Sequence, residues 1–124
     1  MGREPHILYI EDEETMLELA RHILKISGYK LSVATSGRQG LSMIRQHKPD
    51  VLLLDLMMPD INGWDVYRQI KSDETLADIP VIVITAKNQD TNQKIIDDLP
   101  PVEEYLTKPF DMEGLINSVQ RFLH

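Results

Sequence analysis

Five short runs of apolar residues recur along the chain, and a more polar stretch follows each of them. The runs are HILYI at 6–10, LSVA at 31–34, VLLLD at 51–55, VIVIT at 81–85 and YLT at 105–107. The third and fourth runs are continuous rather than alternating, which is typical of parallel strands that are covered on both faces. The pattern therefore predicts five buried strands in a parallel sheet.

The stretch between the first two runs has the periodicity of an amphipathic helix. Its apolar stripe consists of Met16, Ala20, Ile23 and Leu24. Gly28 supplies a C-terminal stop, because glycine adopts the left-handed conformation that ends many helices. Leu17, Leu19 and Ile26 flank the stripe on both sides, and one face cannot bury them all. Packing at the edge of the core and docking of a partner's helix by Leu17 or Leu19 both fit this pattern.

Four further helices are predicted after the remaining runs. The second begins at a capping box of Ser36 and Gln39, the third follows Gly63, and a weaker fourth covers residues 88–98. The fifth covers 112 to about 123, with Asp111 as its N-cap. Strands that alternate with helices predict one α/β domain over residues 1–124. It is a (βα)5 unit built on a doubly wound, five-stranded parallel sheet.

The composition limits the possible functions. The chain has 124 residues, enough for one domain, and its net charge of −7 disfavours direct binding to nucleic acid or to an anionic membrane surface. Cysteine is absent, which excludes disulfides and thiolate chemistry. No apolar run approaches the roughly 18 residues of a membrane span, and no signal peptide precedes the first strand. We therefore expect a cytoplasmic domain.

Polar side chains lie at the carboxyl ends of four predicted strands. They are Glu11 and Asp12 after the first strand, Asp55 in the third, Thr85 in the fourth and Lys108 after the fifth. Ligands of doubly wound sheets bind beyond these ends. Each residue taken singly is an ordinary cap, loop residue or buried threonine. Together, three carboxylates face one ammonium and leave an excess of about two negative charges, which favours a bound cation.

Magnesium suits such an acidic cluster. Mg²⁺ prefers oxygen ligands and is usually bound by one or two carboxylates, retained waters and a phosphate group of the substrate. A carboxylate at the end of a strand can also act as a nucleophile toward phosphorus. The charge pattern therefore indicates metal-assisted phosphoryl chemistry with a carboxylate nucleophile.

Four segments resemble the receiver domain of two-component response regulators, the CheY-like family. The segments are ILYIEDE, DVLLLDLMMPDINGWDVYRQI, IPVIVITA and EEYLTKPF. The resemblance covers nearly the whole chain, and the signature positions occur in the family's order. It implies the flavodoxin-like strand order 2-1-3-4-5.

The resemblance implies roles for the acidic residues. Asp55 matches the family's phosphoacceptor, which attacks a phosphohistidine of a sensor histidine kinase or phosphotransfer protein and becomes an acyl phosphate. Asp12 and Asp55 match direct ligands of Mg²⁺. Glu11 matches an acid that acts mostly through metal-bound water, and the backbone carbonyl of Met57 matches a further ligand. Such a domain is a regulatory phosphoacceptor, not an enzyme.

The resemblance also implies a switch. Lys108 matches the lysine that pairs with a phosphoryl oxygen, and Thr85 matches the hydroxyl that binds another. Tyr105 matches the aromatic residue whose rotamer reshapes the surface of the fourth helix, fifth strand and fifth helix, which downstream partners recognise. Pro100 and Pro101 cannot extend a helix and predict a stiff loop before this strand. We expect that loop to confine the switching motion.

Other functions of similar folds fit the sequence less well. A flavodoxin-like electron carrier needs a loop that holds phosphate, whereas EDEET after the first strand would repel it. A haloacid-dehalogenase-type phosphatase needs a second aspartate two residues after the nucleophile, where this chain has Met57. The main alternative is a degenerate receiver that acts as a phosphorylation-independent interaction module. The complete set of Asp12, Asp55, Thr85 and Lys108 favours the phosphoacceptor.

Overall fold

The computed structural model describes residues 4–58, 60–85 and 102–123, and it follows the predicted alternation of strands and helices. The strands are β1 His6–Ile10, β2 Lys30–Ala34, β3 Val51–Asp55, β4 Val81–Thr85 and β5 Glu104–Thr107. The helices are α1 Glu14–Ile26, α2 Gly37–Gln46, α3 Gly63–Lys71 and the C-terminal helix Met112–Gln120. Within these ranges no helix is long and apolar enough to cross a bilayer. The predicted helix at 88–98, with Pro100 and Pro101, lies outside the described residues.

The strands form one parallel sheet in the order β2-β1-β3-β4-β5, which confirms the predicted order. The order reverses between β1 and β3, as in other doubly wound sheets. The register pairs Asp55 with Ile84 and Thr85 with Thr107. The carboxyl ends of β3, β4 and β5 therefore meet at one edge of the sheet, next to the end of β1.

Side chains alternate between two apolar layers on opposite faces of the sheet. One layer joins Leu8, Ile10, Leu52, Leu54 and Val83 of the strands to Leu41, Ile44, Val66, Tyr67 and Ile70 of α2 and α3. The other joins Ile7, Tyr9, Leu53 and Ile82 to Ala20, Leu24, Leu115 and Val119 of α1 and the C-terminal helix. Strands β1, β3 and β4 are buried along their whole length, as their continuous apolar runs predict.

The helix ends use the predicted caps, with one difference. Asp111 accepts a hydrogen bond from the backbone N–H of Gly114 at 2.8 Å, as expected of an N-cap. Ser36 likewise accepts from the N–H of Gln39 at 3.1 Å. The Gln39 side chain, however, accepts from the N–H of Thr35 at 2.9 Å, one residue before the N-cap that a capping box uses. The reciprocal half of the predicted box is therefore shifted by one residue.

The suggestion that Leu17 is accessible to a partner is wrong, because Leu17 is fully buried. Its side chain belongs to the apolar layer that α1 shares with the C-terminal helix. Since α1 packs against this helix as well as the sheet, its buried arc is wider than the stripe read from the sequence. Leu19 is 36% exposed and Ile26 is 61% exposed, so these two residues do lie on the surface.

Candidate metal centre

The carboxyl edge of the sheet brings the predicted acidic residues together. Glu11 directly follows β1, Asp12 is the next residue, and Asp55 ends β3. One carboxylate oxygen from each of these three residues lies within 4.8 Å of the other two. Glu11 and Asp55 are buried, at 0% and 3% exposure, whereas Asp12 is exposed. The cluster is thus open to solvent on the side of Asp12 and closed beneath.

Lys108 lies at the centre of this cluster. Its Nζ atom is 2.9 Å from Oε1 of Glu11, 3.3 Å from Oδ2 of Asp55 and 3.5 Å from Oε1 of Glu13. The backbone N–H of Lys108 donates to the carbonyl oxygen of Thr85 at 2.8 Å, which fixes the base of the lysine beside the end of β4. Among the residues that the structure describes, one ammonium therefore contacts three carboxylates, and the negative charge is not balanced.

The environment shifts the pKa of the two central groups. Burial raises the pKa of Asp55 from 3.8 to about 6, with a further contribution from the charge of Glu11. The backbone N–H of Met57, which donates to Oδ1 of Asp55 at 3.1 Å, and the charge of Lys108 lower it in part. Burial opposes the charged form of Lys108, but its hydrogen bond to Glu11 and the charges of Asp55 and Glu11 outweigh this and raise its pKa.

Glu11 is held by several donors at once. The Tyr9 hydroxyl donates to Oε1 at 2.9 Å, and the backbone N–H of Glu13 donates to Oε2 at 3.1 Å. Burial and the nearby charge of Glu11 raise the pKa of Tyr9 above its usual value, so its hydroxyl keeps its proton. Tyr9 is not among the residues predicted from the sequence to take part in the site. The available signal was a tyrosine within an apolar strand, two residues before an acid and therefore on the same face.

A close backbone contact supports the Asp55 loop. The N–H of Gly63, the first residue of α3, donates to the carbonyl oxygen of Leu56 at 2.9 Å. A Cβ atom at Gly63 would lie 2.7 Å from the carbonyl oxygen of Asp55 and 2.5 Å from Cα of Leu56. Only glycine lets α3 begin this close to Asp55. Met57 follows in the same loop with its side chain 76% exposed.

The proposed switch residues lie beside the cluster on neighbouring strands. Thr85 ends β4 and is 4% exposed. Tyr105 pairs with Val83 across β4 and β5, and its side chain is 36% exposed. Tyr105 is therefore partly exposed, on the strand next to the one that Thr85 ends. Ala86, the small residue that follows Thr85, lies outside the described residues.

The donor set fits a small, hard cation. The three clustered carboxylates offer oxygen ligands, and the exposed Asp12 leaves the cluster open to water and to a phosphate group. These are the ligands that Mg²⁺ selects, whereas the described cluster contains no nitrogen or sulfur ligand of the kind that zinc prefers. The excess of negative charge around Lys108 favours the same cation.

Comparisons with known proteins agree with the fold and with the motifs. The family model described as response regulator receiver domain matches residues 7–120. The chain is 36% identical to protein PilH of Pseudomonas aeruginosa over 117 residues, which cover 94% of this chain and 96% of PilH. It is 37% identical over 119 residues to the DNA-binding dual master transcriptional regulator RpaA of Synechocystis sp.. That match covers 96% of this chain but 49% of RpaA, so the chain spans about half the length of that relative.

A solved structure gives the same result for the fold. The chemotaxis protein CheY4 of Vibrio cholerae superposes with a TM-score of 0.88 over 98% of this chain and 100% of CheY4. Its sequence identity is 22%, so this likeness concerns the fold alone. The match of the family model over most of the chain and the relatives above 30% identity together establish the family. The chain belongs to the receiver domains of two-component response regulators, with a CheY-like fold.

Proposed function

We propose that residues 1–124 form a phosphoacceptor receiver domain in which Asp55 takes a phosphoryl group from a sensor histidine kinase or a phosphotransfer protein. The observation that carries this proposal is the cluster itself. One carboxylate oxygen from each of Glu11, Asp12 and the buried Asp55 lies within 4.8 Å of the others, and among the described residues Lys108 is the cation that contacts Glu11 and Asp55. This arrangement costs stability without a further cation, and it fits a site for a metal ion and a phosphoryl group.

In the proposed phosphoryl transfer, Asp55 is the nucleophile. Its carboxylate oxygen attacks the phosphorus atom of a phosphohistidine, and a P–O bond forms while the P–N bond breaks. The electron pair of that bond leaves with the imidazole nitrogen, and Asp55 becomes an acyl phosphate. Asp12, Asp55 and the Met57 carbonyl would hold Mg²⁺ directly and Glu11 would act through water, and the ion would supply positive charge for the phosphoryl oxygens.

The raised pKa of Asp55 supports this assignment. A carboxylate with a pKa of about 6 is ionised at neutral pH, but its charge is poorly solvated. Lys108 compensates for only part of this because it is shared with Glu11 and Glu13. Asp55 is therefore a buried anion with incomplete stabilisation, which is the state expected of a nucleophile that acts beside a bound cation.

Lys108, Thr85 and Tyr105 carry the remaining steps of the proposal. Lys108 pairs with one phosphoryl oxygen, and the Thr85 hydroxyl donates to another. Tyr105 then moves from its half-exposed position into the space that Thr85 leaves. This motion alters the surface of β5 and the C-terminal helix, together with the predicted helix at 88–98, which a downstream protein or output domain reads.

The proposal also fixes what the domain does not do. It is a regulatory phosphoacceptor that assists its own phosphorylation and dephosphorylation, not an enzyme acting on other substrates. With a net charge of −7 it makes no direct contact with nucleic acid or with an anionic membrane surface. The domain itself is cytoplasmic in this scheme.

Labelling with a small phosphodonor tests the proposal. Incubation with acetyl phosphate and Mg²⁺ is expected to add one phosphoryl group that base removes, because acyl phosphates are labile to base. Asp55→Asn should abolish the label. Asp65→Asn, which changes an exposed acid in the first turn of α3, should retain it. Label on a serine, threonine or histidine, or an unlabelled wild type, would instead support a degenerate receiver that acts as an interaction module.

A further inference from the structure

Tyr9 joins the apolar layer beneath the sheet to the acidic cluster. The residue is fully buried in β1, and its ring lies 6.4 Å from that of Phe110, between centroids, at an angle of 53°. Its hydroxyl donates to Oε1 of Glu11 at 2.9 Å. Phe110 comes two residues after Lys108, so the tyrosine ring packs against the loop that carries the lysine. Tyr9 thus contacts Glu11 of the cluster directly and packs against Phe110 in the loop that carries Lys108.

Glu11 receives its hydrogen bonds from donors of different kinds. Lys108 reaches both carboxylate oxygens, Oε1 at 2.9 Å and Oε2 at 3.1 Å. The proposed function requires Lys108 to turn to a phosphoryl oxygen, so these contacts change during the reaction. The N–H of Glu13 belongs to the loop before α1. Tyr9 is a donor on a side chain that packing in the core holds rigidly.

We propose that Tyr9 is a positioning residue that fixes the Glu11 carboxylate for its role beside the bound metal ion. The proposal rests on the proposed function, because it concerns the same metal centre. Outer hydrogen-bond partners of metal-ligating groups orient these groups and stabilise their charged form. Glutamate has one more rotatable bond than aspartate, so an acid of this length gains more from a fixed donor.

The alternative is a tyrosine that only fills the core. A buried hydroxyl without a partner costs free energy, and the bond to Glu11 satisfies this one. A purely structural bond would change stability when it is removed, but it would leave the metal affinity unaltered. Tyr9→Phe separates the two roles because it keeps the ring and deletes one oxygen atom.

The experiment is a calorimetric titration of Mg²⁺ into the wild type, Tyr9→Phe, Glu11→Gln and the double variant. Tyr67→Phe is the matched control, since Tyr67 is also fully buried but lies in the opposite apolar layer. We expect Tyr9→Phe to weaken Mg²⁺ binding about tenfold and Tyr67→Phe to leave it unchanged. In the Glu11→Gln background, Tyr9→Phe should change the affinity less than about twofold, because the carboxylate through which it acts is gone.

Phosphorylation by acetyl phosphate gives a second readout. The Mg²⁺ concentration for half-maximal rate should rise about tenfold in Tyr9→Phe, while the rate at saturating Mg²⁺ stays within about twofold of the wild type. A wild type that binds no Mg²⁺ would overturn the proposed function itself. A wild type that binds Mg²⁺ with the same affinity as Tyr9→Phe would overturn only the role of Tyr9. If Tyr9→Phe lowered the Mg²⁺ affinity equally in the wild-type and Glu11→Gln backgrounds, the role of Tyr9 would also be overturned, because Tyr9 would then act without Glu11.

Discussion

Lys71 and Lys108 both have side chains that are largely buried, and both contact carboxylates, but their surroundings differ. Lys71, at the end of α3, is 4% exposed, and its ammonium pairs with Glu103 at 2.9 Å. It also donates to the carbonyl oxygens of Ala77 at 3.1 Å and Ile79 at 2.9 Å. Lys108 is 18% exposed and contacts three carboxylates. Lys71 therefore has one carboxylate and two carbonyl dipoles as partners, whereas the single positive charge of Lys108 has three carboxylates around it.

We interpret this difference as one between a structural lysine and the lysine of the proposed phosphorylation site. Around Lys71 the charges of the described residues balance, and Glu103 also accepts from the N–H of Val81 at 3.1 Å, so the pair ties the end of α3 to β4 and to the start of β5. Around Lys108 the negative charge of the described residues exceeds their positive charge, and burial raises the pKa of Asp55. A balanced pair stabilises the fold as it stands, but an unbalanced cluster gains stability when a cation arrives.

The largest effect on stability is expected from Lys71→Met. The substitution keeps much of the apolar stem but removes the ammonium from Glu103 and from two carbonyl oxygens. Because Glu103 is 31% exposed, we expect a loss of about 3 kcal/mol in the free energy of unfolding, at the low end for a broken buried pair. Urea unfolding measures it.

Lys48→Met is the matched control for this loss. Lys48 pairs with Asp78 at 2.7 Å, but the two side chains are 45% and 76% exposed. Exposed pairs contribute little, so the control should lose less than about 0.5 kcal/mol. Similar losses in the two variants would mean that Lys71 is not the structural lysine described here.

Asp55→Asn is expected to raise the free energy of unfolding rather than lower it. The pKa of Asp55 rises from 3.8 in the unfolded chain to about 6, so the folded wild type loses stability as the pH rises from about 4 to 6. A shift of this size corresponds to roughly 3 kcal/mol, a figure that already includes the attraction of Lys108 for the charged form of Asp55. We expect the variant to be more stable by up to roughly 3 kcal/mol at pH 7.5 in the absence of Mg²⁺, and equal to the wild type below pH 4, where Asp55 is neutral. A variant less stable than the wild type at pH 7.5 would contradict the unbalanced charge.

The smallest effect concerns motion at the start of β5. Amide chemical shifts of the free domain and of its complex with Mg²⁺ and beryllofluoride should differ strongly at Asp55, Thr85 and Tyr105. They should differ little at Val102 and Glu103, because the Lys71 pair holds Glu103 in place. We also predict a small change at Leu99 and a large change at Lys87. Both residues lie outside the described residues.

Lys71→Met sharpens this prediction. Without the Lys71 ammonium, the amide chemical shift of Glu103 should change more on beryllofluoride binding than it does in the wild type. If Glu103 shifts as much as Thr85 in the wild type itself, the start of β5 is a moving hinge, and the proposed stiffness is wrong.

Much of the fold could be predicted because burial on both faces leaves a direct mark on the sequence. The continuous runs VLLLD and VIVIT match β3 and β4 residue for residue. Strands β2 and β5 each begin one residue earlier than predicted, at Lys30 and Glu104, because polar residues at strand ends carry no apolar signal. Leu17 was misjudged because the apolar stripe does not show that α1 packs against a second helix as well as the sheet.

The candidate site was predictable where topology alone determines proximity. Parallel strands end at one edge, so Glu11, Asp55 and Lys108 had to meet there once the strands were recognised. The pair of Lys71 and Glu103 could not be predicted, because the two residues are 32 positions apart and neither follows a strand end. The sequence also does not distinguish a buried lysine from an exposed one. Which lysine is balanced follows only from the packing around it.

The most direct test of the comparison is a calorimetric titration of Mg²⁺. Asp12→Ala removes an exposed carboxylate of the cluster, and Asp65→Ala removes an exposed carboxylate of α3. We predict that the wild type, Lys71→Met and Asp65→Ala bind Mg²⁺ with the same affinity, and that Asp12→Ala binds at least about tenfold more weakly. Equal affinities in the wild type and in Asp12→Ala would contradict the claim that the unbalanced cluster around Lys108 is the metal centre.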